Sequence, residues 1–522
     1  MRSLVALVLA LCPFLLYAQS FPSDDPVIRK IWTEAMDSTQ LPRLAHELLD
    51  VIGPRLTGTP QMQKAHRWVE TQFASWGIEP KTEQYGTWRG WERGVSHIDL
   101  LEPRVRTLDA TMLSWSPGTP RGGVRARLII FADAPDSVSF RAWLPSVKGK
   151  FVLYSMPQPT GRPDKTWEEQ GTKESFDSLK AYRERLRKNW EHRKKVTGFS
   201  SDTLHQILEQ AGAAGIITSE WSTGWGTYRI FGTSTRKIPA VAMSLEDYAL
   251  LYRLAEHGHN PLVRIETEAR FLGTAPACNS LGFIRGTEKP EEHVVLSAHL
   301  DSWDGASGAN DNGTGTLIMM EALRILKKHH PHPRRTIMAG LWGSEEQGLN
   351  GSAAFVADHP EIVDRMQALF NQDNGTGRIT GIGAAGFLNG PEHIARWLSR
   401  IPSEVTRDLR PSFPGMPGGG GTDNASFTTA GAPGFGVGGV NWDYFAYTWH
   451  TNRDTYDKLV FEDLKNNVVL LACLAYMASE DPETVTRERR TMPLDKATGK
   501  PMEWPKRIVP NRAGIIGGRQ AQ

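Results

Sequence analysis

Histidine and aspartate residues with the spacing of a metal site concentrate in one stretch of the chain, HVVLSAHLDSWDGASGANDNGTG (293–315). An apolar run leads to His299, and a glycine-rich loop with three acids follows it: Asp301, Asp304 and Asp311. A strand that ends in a histidine and continues into such a loop is typical of a metal site at the carboxyl edge of a sheet. Neutral imidazoles and carboxylates suit a divalent metal, most often zinc. A loop of hydrogen-bonded acids without a metal has the same sequence pattern.

Four more candidate ligands follow predicted strands further along the chain. Glu345 and Glu346 come after TIMAGLW, Asp373 ends ALFNQD, and His450 follows the apolar segment around Phe435. The carboxyl ends of parallel strands meet at one edge, so these side chains are expected to share one cleft. Two imidazoles and three carboxylates can hold two divalent ions if one carboxylate bridges them. Of two adjacent glutamates, one can bind metal while its neighbour holds a proton of the attacking water.

Each of these residues has an ordinary structural interpretation when it is taken alone. A Glu-Glu pair is typical of a helix start, a strand-end aspartate is typical of a helix cap, and a single histidine is more often structural. Gly313-x-Gly315 could indicate phosphate binding, but no Gly-Lys-Ser/Thr sequence follows. None of these interpretations predicts acids and histidines at successive strand ends, and the joint pattern therefore favours a metal site.

The elements that would position these residues form an α/β pattern. Helical periodicity is found between residues 24 and 77, and strand-like alternation between 94 and 116. After Phe271, strands alternate with helices, which predicts a doubly wound, mostly parallel sheet flanked by helices. A glycine-rich segment, 402–421, is predicted to be a flexible loop of the kind that covers active sites. Residues 461–480 are predicted to form the last helix.

The middle of the chain, 121–270, is predicted to form a smaller, β-rich domain inserted into the catalytic domain, which would comprise 24–120 and 271–482. Its basic segment SLKAYRERLRKNWEHRKK is interpreted as a solvated helix face rather than a docking surface. No histidines cluster with acids there, so no chemistry is assigned to it. The tail, 483–522, is predicted to be extended or disordered because prolines and scattered charges dominate it.

Composition limits the class of protein. The chain has 522 residues, a net charge of +2, 39% hydrophobic and 23% charged residues, which is globular composition with no sign of nucleic acid as a partner. Residues 1–18 are predicted to be a cleaved signal peptide, since the apolar run is short for a membrane anchor. Leu11 and Pro13 argue against a lipoprotein signal at Cys12. The mature protein is therefore expected to be secreted or periplasmic, with no membrane contact.

Cysteine usage excludes a thiolate metal site. Cleavage would leave Cys278 and Cys473, which have no Cys-x-x-Cys spacing. A disulfide between them stays open, although Cys473 lies in an apolar helical segment and is predicted to be a buried hydrophobic residue. Any metal must therefore be held by His, Asp and Glu.

Five motifs together resemble a known family: AHLDSWDGASGANDNGTG, GSEEQGLNGS, NQDNGTG, GTDNASF and WHTNRDTYDKL. They are similar to the zinc aminopeptidase family of co-catalytic di-zinc exopeptidases, and PRLTGTP (54–60) is similar to its plasma glutamate carboxypeptidase-like members. The resemblance covers roughly 40–120 and 271–475. Segment 121–270 resembles the protease-associated domain often inserted in that family.

The resemblance implies two Zn²⁺ ions per chain and a role for each candidate. It implies that His299 and Asp373 hold one ion, that Glu346 and His450 hold the other, and that Asp311 bridges both. Glu345 would be the general base, and Asp301 would orient His299.

Two details of the family pattern differ in this chain. The family's bridging aspartate is often followed by another acid and a cis peptide bond; Asn312 stands here, and a cis bond at 311–312 is still expected. Some members place a tyrosine before the last histidine to stabilise the oxyanion. Trp449 occupies that position, which leaves Tyr444 and Tyr447 as candidates.

The predicted function is hydrolysis of N-terminal residues from peptides or dipeptides, with peptides as the partners. A carboxypeptidase or dipeptidase of the same fold is an alternative. A receptor-like binding protein without catalysis is an alternative from another class, but it should lack some of the ligands that are complete here. Whether the protein forms a homodimer is left open. Whether cobalt or manganese replaces zinc is also left open.

Overall fold

The computed structural model describes residues 23–514. The predicted signal peptide, 1–18, lies outside the described residues. Within residues 23–514, no helix combines the length and the apolar composition needed to cross a membrane.

The helices of the described chain lie mostly before β1 and between the strands. The α-helices are α1 (Pro26–Asp37), α2 (Leu41–Ala45), α3 (Pro60–Ser75), α4 (Ser137–Trp143), α5 (Asp164–Gln170), α6 (Lys173–Lys195), α7 (Ser201–Gln210), α8 (Leu245–Glu256), α9 (Thr314–His329), α10 (Asn350–Asp358), α11 (Pro360–Asp364), α12 (Gly390–Leu398), α13 (Ser403–Thr406), α14 (Asn424–Ala430), α15 (Tyr444–Tyr447) and α16 (Phe461–Glu480). A π-helical turn, His46–Ile52, continues α2, and short 3₁₀ turns occur at Leu144–Val147 and Tyr456–Lys458.

The strands form one continuous, mixed sheet. They are β1 (Glu79–Glu102), β2 (Arg106–Thr107), β3 (Ala110–Met112), β4 (Val124–Ile130), β5 (Phe151–Leu153), β6 (Gly215–Thr218), β7 (Ala240–Met243), β8 (Leu262–Ile284), β9 (Lys289–His299), β10 (Arg335–Trp342), β11 (Met366–Asn371), β12 (Ile379–Gly383), β13 (Arg410–Ser412), β14 (Gly434–Gly439) and β15 (Ala513–Gly514). The strand order is β13-β12-β14-β11-β9-β10-β8-β4-β5-β6-β7-β3, and β1 pairs with β8.

The centre of this sheet is parallel, as the alternation of strands and helices predicts. Strand β9 pairs in parallel with β10 on one side and β11 on the other, and β11 pairs in parallel with β14. Both faces are covered: Val294 and Leu296 of β9 belong to one hydrophobic core, and Val295 between them belongs to another. This alternation explains why the strand is a continuous apolar run.

Helix α9 places the loop before it at the carboxyl edge of the sheet. Its residues Thr314–Leu326 are buried, and it packs mainly against α16, β9 and α1. The predicted last helix is confirmed as α16, and Cys473 within it is fully buried. Both Cys278 and Cys473 are free thiols, so no disulfide joins them.

The middle segment has its own hydrophobic core. Strands β4 to β7 and helices α7 and α8 contribute to it, together with Ile98, Leu100, Val263 and Ile265 of the long strands β1 and β8. This core therefore extends beyond 121–270, because β1 and β8 pair antiparallel along their whole length and run through both parts of the molecule. Helix α6, the basic segment, is largely exposed and buries only Phe176 and Trp190.

Two local predictions are corrected by the structure, and for the tail one of the two predicted alternatives is confirmed. Strand β1 begins at Glu79, well before residue 94, because β8 supplies a partner along its whole length. Segment 402–421 contains α13 and β13, so it is not an unstructured loop. The tail is extended up to residue 514 but not disordered: Trp504 Nε1 donates to Thr428 O at 3.0 Å, and β15 pairs with β1.

Candidate functional site

The predicted metal ligands converge at the carboxyl ends of the parallel strands. His299 is the last residue of β9, Asp311 lies between β9 and α9, and Asp373 follows β11. The Glu345-Glu346 pair lies in the loop between β10 and α10, and is therefore not a helix start. His450 reaches the same place from the loop after α15. Residues separated by up to 151 positions in sequence thus share one cleft.

Asp311 stands between the two imidazoles. Its Oδ1 lies 3.4 Å from His299 Nε2, and its Oδ2 lies 3.1 Å from His450 Nε2. Each imidazole has a second carboxylate of its own: Asp373 Oδ1 is 3.3 Å from His299 Nε2, and Glu346 Oε2 is 2.9 Å from His450 Nε2. The arrangement consists of two imidazole–carboxylate pairs joined by one shared carboxylate. Two sets of side chains have ligand atoms within 4.8 Å of one another: His299, Glu345 and Asp373, and His299, Asp311 and Glu346.

Glu345 lies beside the first pair rather than the second. Its Oε2 is 3.9 Å from His299 Nε2, and its side chain is 10% exposed. Burial raises the pKa of Glu345 well above its ordinary value, and the charges of Asp373 and Asp423 add to that rise. A buried carboxylate whose proton affinity is raised is suited to accept and return a proton.

Asp301 makes contacts that differ in part from the predicted role. The Nδ1 of His299 is 3.0 Å from the backbone oxygen of Asp301 and 3.6 Å from its Oδ1. The carboxylate of Asp301 accepts backbone N–H bonds from Glu345 at 3.1 Å and from Glu346 at 3.3 Å. The backbone of Asp301 therefore orients the imidazole, while its side chain holds the loop of the two glutamates.

Asp304, the remaining acid of the first loop, does not join the cleft. It forms a two-pronged ion pair with Arg93, with both N–O distances 2.8 Å, and it accepts a hydrogen bond from Ser114 Oγ at 2.6 Å. Its charge is therefore neutralised within the protein.

The charges of the cleft are unbalanced without cations. Burial, together with the charge of Asp311, raises the pKa of Glu346 to about 7. Burial disfavours a charged imidazole at His450, yet Glu346 and Asp311 raise its pKa to about 9. Asp311 Oδ2 and Glu346 Oε1 are buried and accept no hydrogen bond. Buried acids in excess over imidazoles, with free lone pairs, form a donor set that fits divalent cations.

A comparison with known families decides the identity of the chain. Residues 279–474, which contain every candidate ligand, match the sequence model of peptidase family M28. This segment is a peptidase family M28 domain. The protein is a metallopeptidase, and the receptor-like interpretation is set aside.

Relatives of the chain agree with this assignment. It is 26% identical to carboxypeptidase Q of Mus musculus over 441 residues, covering 84% of this chain and 86% of the relative. A peptidase M28 precursor from Shewanella amazonensis has the same fold, with a TM-score of 0.65 and 23% identity over 88% of this chain and 97% of that one. BSAP, a zinc aminopeptidase from Bacillus subtilis, aligns with a TM-score of 0.55 and 20% identity over 86% of this chain and 96% of its own.

The Asp311 turn of this M28 peptidase is held by Asp454, which the sequence analysis did not single out. Asp454 accepts hydrogen bonds from the backbone N–H of Asn310 at 2.8 Å and of Asp311 at 3.0 Å, and from Asn310 Nδ2 at 3.0 Å. The peptide bond between Asp311 and Asn312 is cis, as expected. The only signal in the sequence was an acid four residues after His450, inside a motif already used for the resemblance.

Replacing Asp454 by asparagine should weaken metal binding without removing a ligand. The amide can keep only one acceptor oxygen and introduces donors that face the N–H groups of Asn310 and Asp311. Loss of such a supporting carboxylate typically lowers metal affinity by about 10–100-fold. Competition with a zinc-sensitive dye would measure this change. An unchanged zinc affinity in the folded variant would contradict the role given to Asp454.

Arg55 is a second residue that sequence reasoning did not find. It is fully buried, and its guanidinium donates to the backbone oxygens of Leu300 and Ser307 at 2.6 Å and of Gly308 at 2.8 Å. Burial lowers its pKa to about 10, while nearby acids such as Asp454 act in the opposite direction. Arg55 therefore fastens the PRLTGTP turn to the loop that carries Asp311.

The middle segment contributes to the cleft, although no chemistry was assigned to it. Ile230 N donates to His450 O at 2.9 Å, and the ring of Phe231 lies 5.3 Å from the imidazole of His450. The ring of Trp449 stacks on that imidazole, with 3.9 Å between the ring centroids. The sequence carries no signal for these contacts, because Ile230 acts through its backbone N–H and Phe231 is not titratable.

Proposed function

We propose that this protein is an exported zinc exopeptidase that hydrolyses the N-terminal residue of peptides or dipeptides and uses two zinc ions. The observation that carries the proposal is the position of Asp311, whose two carboxylate oxygens face two different imidazoles. A bridging carboxylate with one histidine and one further acid on each side is the donor set of a paired-metal hydrolase.

The chain's own residues divide into two sets of ligands. His299, Asp373 and Asp311 would hold one ion, and His450, Glu346 and Asp311 would hold the other. Zinc in this position would polarise the scissile carbonyl and lower the pKa of the attacking water. Asp301 and Asp454 hold the loops that carry these ligands, which keeps the two sets at a constant separation.

Glu345 is the proposed proton carrier. It lies beside the first ligand set and is close to His299 without belonging to either imidazole–carboxylate pair. It would accept a proton from the attacking water and deliver it to the nitrogen of the departing amine. Burial favours the protonated form of Glu345. This is the form that Glu345 would have after it accepts the proton and before it delivers it to the amine.

Tyr444 is the proposed donor to the oxyanion. It is 7% exposed, and burial followed by the charges of Asp311 and Asp373 raises the pKa of its hydroxyl well above the ordinary value. The hydroxyl therefore keeps its proton and can donate it in a hydrogen bond. The influence of these acids on the Tyr444 hydroxyl supports Tyr444 rather than Tyr447 as the donor.

A carboxypeptidase or dipeptidase is the second candidate function. The name carboxypeptidase Q belongs to relatives that match 84% of this chain, whereas the structural neighbour from Bacillus subtilis is named an aminopeptidase. Export rests on the predicted signal at 1–18. We also propose that segment 121–270 is a protease-associated domain.

Blocked dipeptides distinguish these candidates. The zinc-loaded protein should hydrolyse a dipeptide amide, which keeps the free amine, but not an N-acetyl dipeptide with a free carboxylate, if it requires a free N-terminal amine. Hydrolysis of the N-acetyl dipeptide but not of the dipeptide amide would identify a carboxypeptidase, and hydrolysis of only the unblocked dipeptide would identify a dipeptidase. A chelator should abolish hydrolysis, and elemental analysis should find two zinc ions per chain. Hydrolysis that persists after complete removal of metal would overturn the proposal.

A further inference from the structure

A second cavity lies away from the metal ligands, where β1, β8 and the C-terminal strand β15 meet. Its volume is about 230 Å³, and its lining consists of Thr87, Trp88, Arg89, Arg236, Gly273, Thr274, Ala513 and Gly514. Two of these residues are arginines, and none is an acid. None of the candidate metal ligands lines this cavity, so its chemistry is independent of the site described above.

Two residues of the cavity lining carry hydrogen-bond donors that have no acceptor. The Nη1 atom of Arg89 is buried without a hydrogen-bond partner, and so is the indole Nε1 of Trp88. The guanidinium of Arg89 stacks on the ring of Phe271 at 3.8 Å from its centroid. This contact orients the guanidinium but cannot satisfy its N–H groups. A buried donor without an acceptor costs free energy, and a ligand oxygen would recover that cost.

The two arginines also lack a counter-charge. Burial, followed by the positive charge of Arg236, lowers the pKa of Arg89 to about 10. Glu209 lies beside the backbone of Arg236, but its Oε2 already accepts the backbone N–H groups of Arg236, Lys237 and Ile238. In the described part of the chain, no carboxylate pairs with either guanidinium. The two like charges at one cavity repel each other, and an anion between them would offset that repulsion.

We propose that this cavity binds the oxyanion group of a small ligand, through the guanidinium groups of Arg89 and Arg236. A planar guanidinium presents a fork of donors that matches the oxygens of a carboxylate or of a tetrahedral oxyanion. A bulk water molecule occupies about 30 Å³, so the cavity has room for an oxyanion with several further atoms attached.

The site joins two parts of the fold that are distant in sequence. Thr87 and Trp88 of β1 pair with Ala513 and Gly514 of β15, which form one wall of the cavity. A Cβ atom at Gly514 would lie 1.9 Å from the Trp88 ring, so glycine is required for this close approach. An anion held by Arg89 therefore lies against the strand pairing, and its binding should stabilise the C-terminal strand.

Calorimetry on the full-length, zinc-loaded protein tests the proposal, with sulfate and acetate as separate probes. We expect saturable binding of one or both, and a loss of about ten-fold or more in affinity for Arg89→Gln and for Arg236→Gln. Arg121→Gln, which removes an exposed arginine elsewhere, is the matched control and should bind like the wild type. Preference for sulfate or acetate shows whether the natural ligand carries a tetrahedral or a planar group.

Two further measurements separate this site from the metal site. Hydrolysis of peptides should be unchanged in all three variants, which also shows that they are folded. Bound anion should slow hydrogen exchange at residues 513–514 in the wild type but not in Arg236→Gln. The proposal is overturned if neither anion binds saturably, or if the Arg89→Gln and Arg236→Gln proteins bind as tightly as the wild type, since that binding would then belong to the metal site.

Discussion

Replacement of Glu345 by glutamine is expected to lower kcat by about 10³-fold or more while both zinc ions stay bound. The amide has nearly the shape of the carboxylate, but it cannot accept a proton from water or return it to the leaving nitrogen. Glu345 Oε2 lies 3.9 Å from His299 Nε2, farther than the oxygens of Asp311 and Asp373, so metal content should be preserved. Steady-state hydrolysis of a dipeptide and zinc per chain, measured on the same sample, check this result.

Glu346→Gln is the matched comparison, because the two glutamates are adjacent and both are buried. Glu346 Oε2 lies 2.9 Å from His450 Nε2, so its loss should reduce bound zinc as well as activity. A Glu345→Gln protein with wild-type turnover would show that another group carries the proton. A Glu345→Gln protein that lost zinc instead would make Glu345 a ligand.

Replacement of His450 by alanine is expected to remove one of the two zinc ions and to reduce hydrolysis to background. His450 supplies the only imidazole of the second ligand set, and Glu346 and Asp311 alone offer carboxylates that repel each other. The ion at His299 should remain, because His299 and Asp373 are unchanged. Elemental analysis after dialysis should therefore find about one zinc per chain, against two in the wild type.

His259→Ala, at an exposed position outside the cleft, is the control for loss of a histidine. Thermal unfolding with and without chelator adds a second readout, since a ligand that binds only the folded state raises its stability. The chelator-dependent shift in Tm should be smaller for His450→Ala than for the wild type. Equal zinc content in the two proteins would remove His450 from the ligand set.

The buried charges explain why the site should be occupied in the working enzyme. Asp423, in the GTDNASF motif, is fully buried, and burial raises its pKa to about 7. Neither of its oxygens accepts a hydrogen bond of normal geometry, although the Ser352 hydroxyl is near. It adds a further acid to the surroundings of Glu345 and Asp373. Divalent cations would stabilise this group of carboxylates more than protons do at neutral pH.

Much of the candidate site could be predicted because each ligand sits at a recognisable local boundary. His299 ends an apolar run with strand composition, and Asp373 ends another; both runs are strands in the structure. The geometry of a parallel sheet then requires the ends to be neighbours. The residues that support the ligands carry no such signal. Arg55 and Asp454 act through backbone oxygens and N–H groups, and a sequence does not show which backbone groups will be adjacent.

The contrast between Asp301 and Asp304 shows the same limit. Both acids lie in the loop that follows His299, and the sequence alone does not separate their roles. Only the fold places Arg93, from β1, where it neutralises Asp304, while Asp301 meets the Glu345-Glu346 loop. The partner of an acid is decided by strand order, which brings together residues about 200 positions apart.

The amino-acid sequence by itself determined the α/β class, the helices and strands of the parallel core, and the chemical types available for a metal site. Periodicity and strand ends are local properties, and they follow directly from the order of residues. The tertiary structure alone decided that Asp311 offers one oxygen to each imidazole, that residues 230–231 contact His450, and that Arg89 and Arg236 share a cavity without a counter-charge. Such contacts depend on how distant segments pack, because side-chain distances are set by the whole sheet and not by neighbours in the chain.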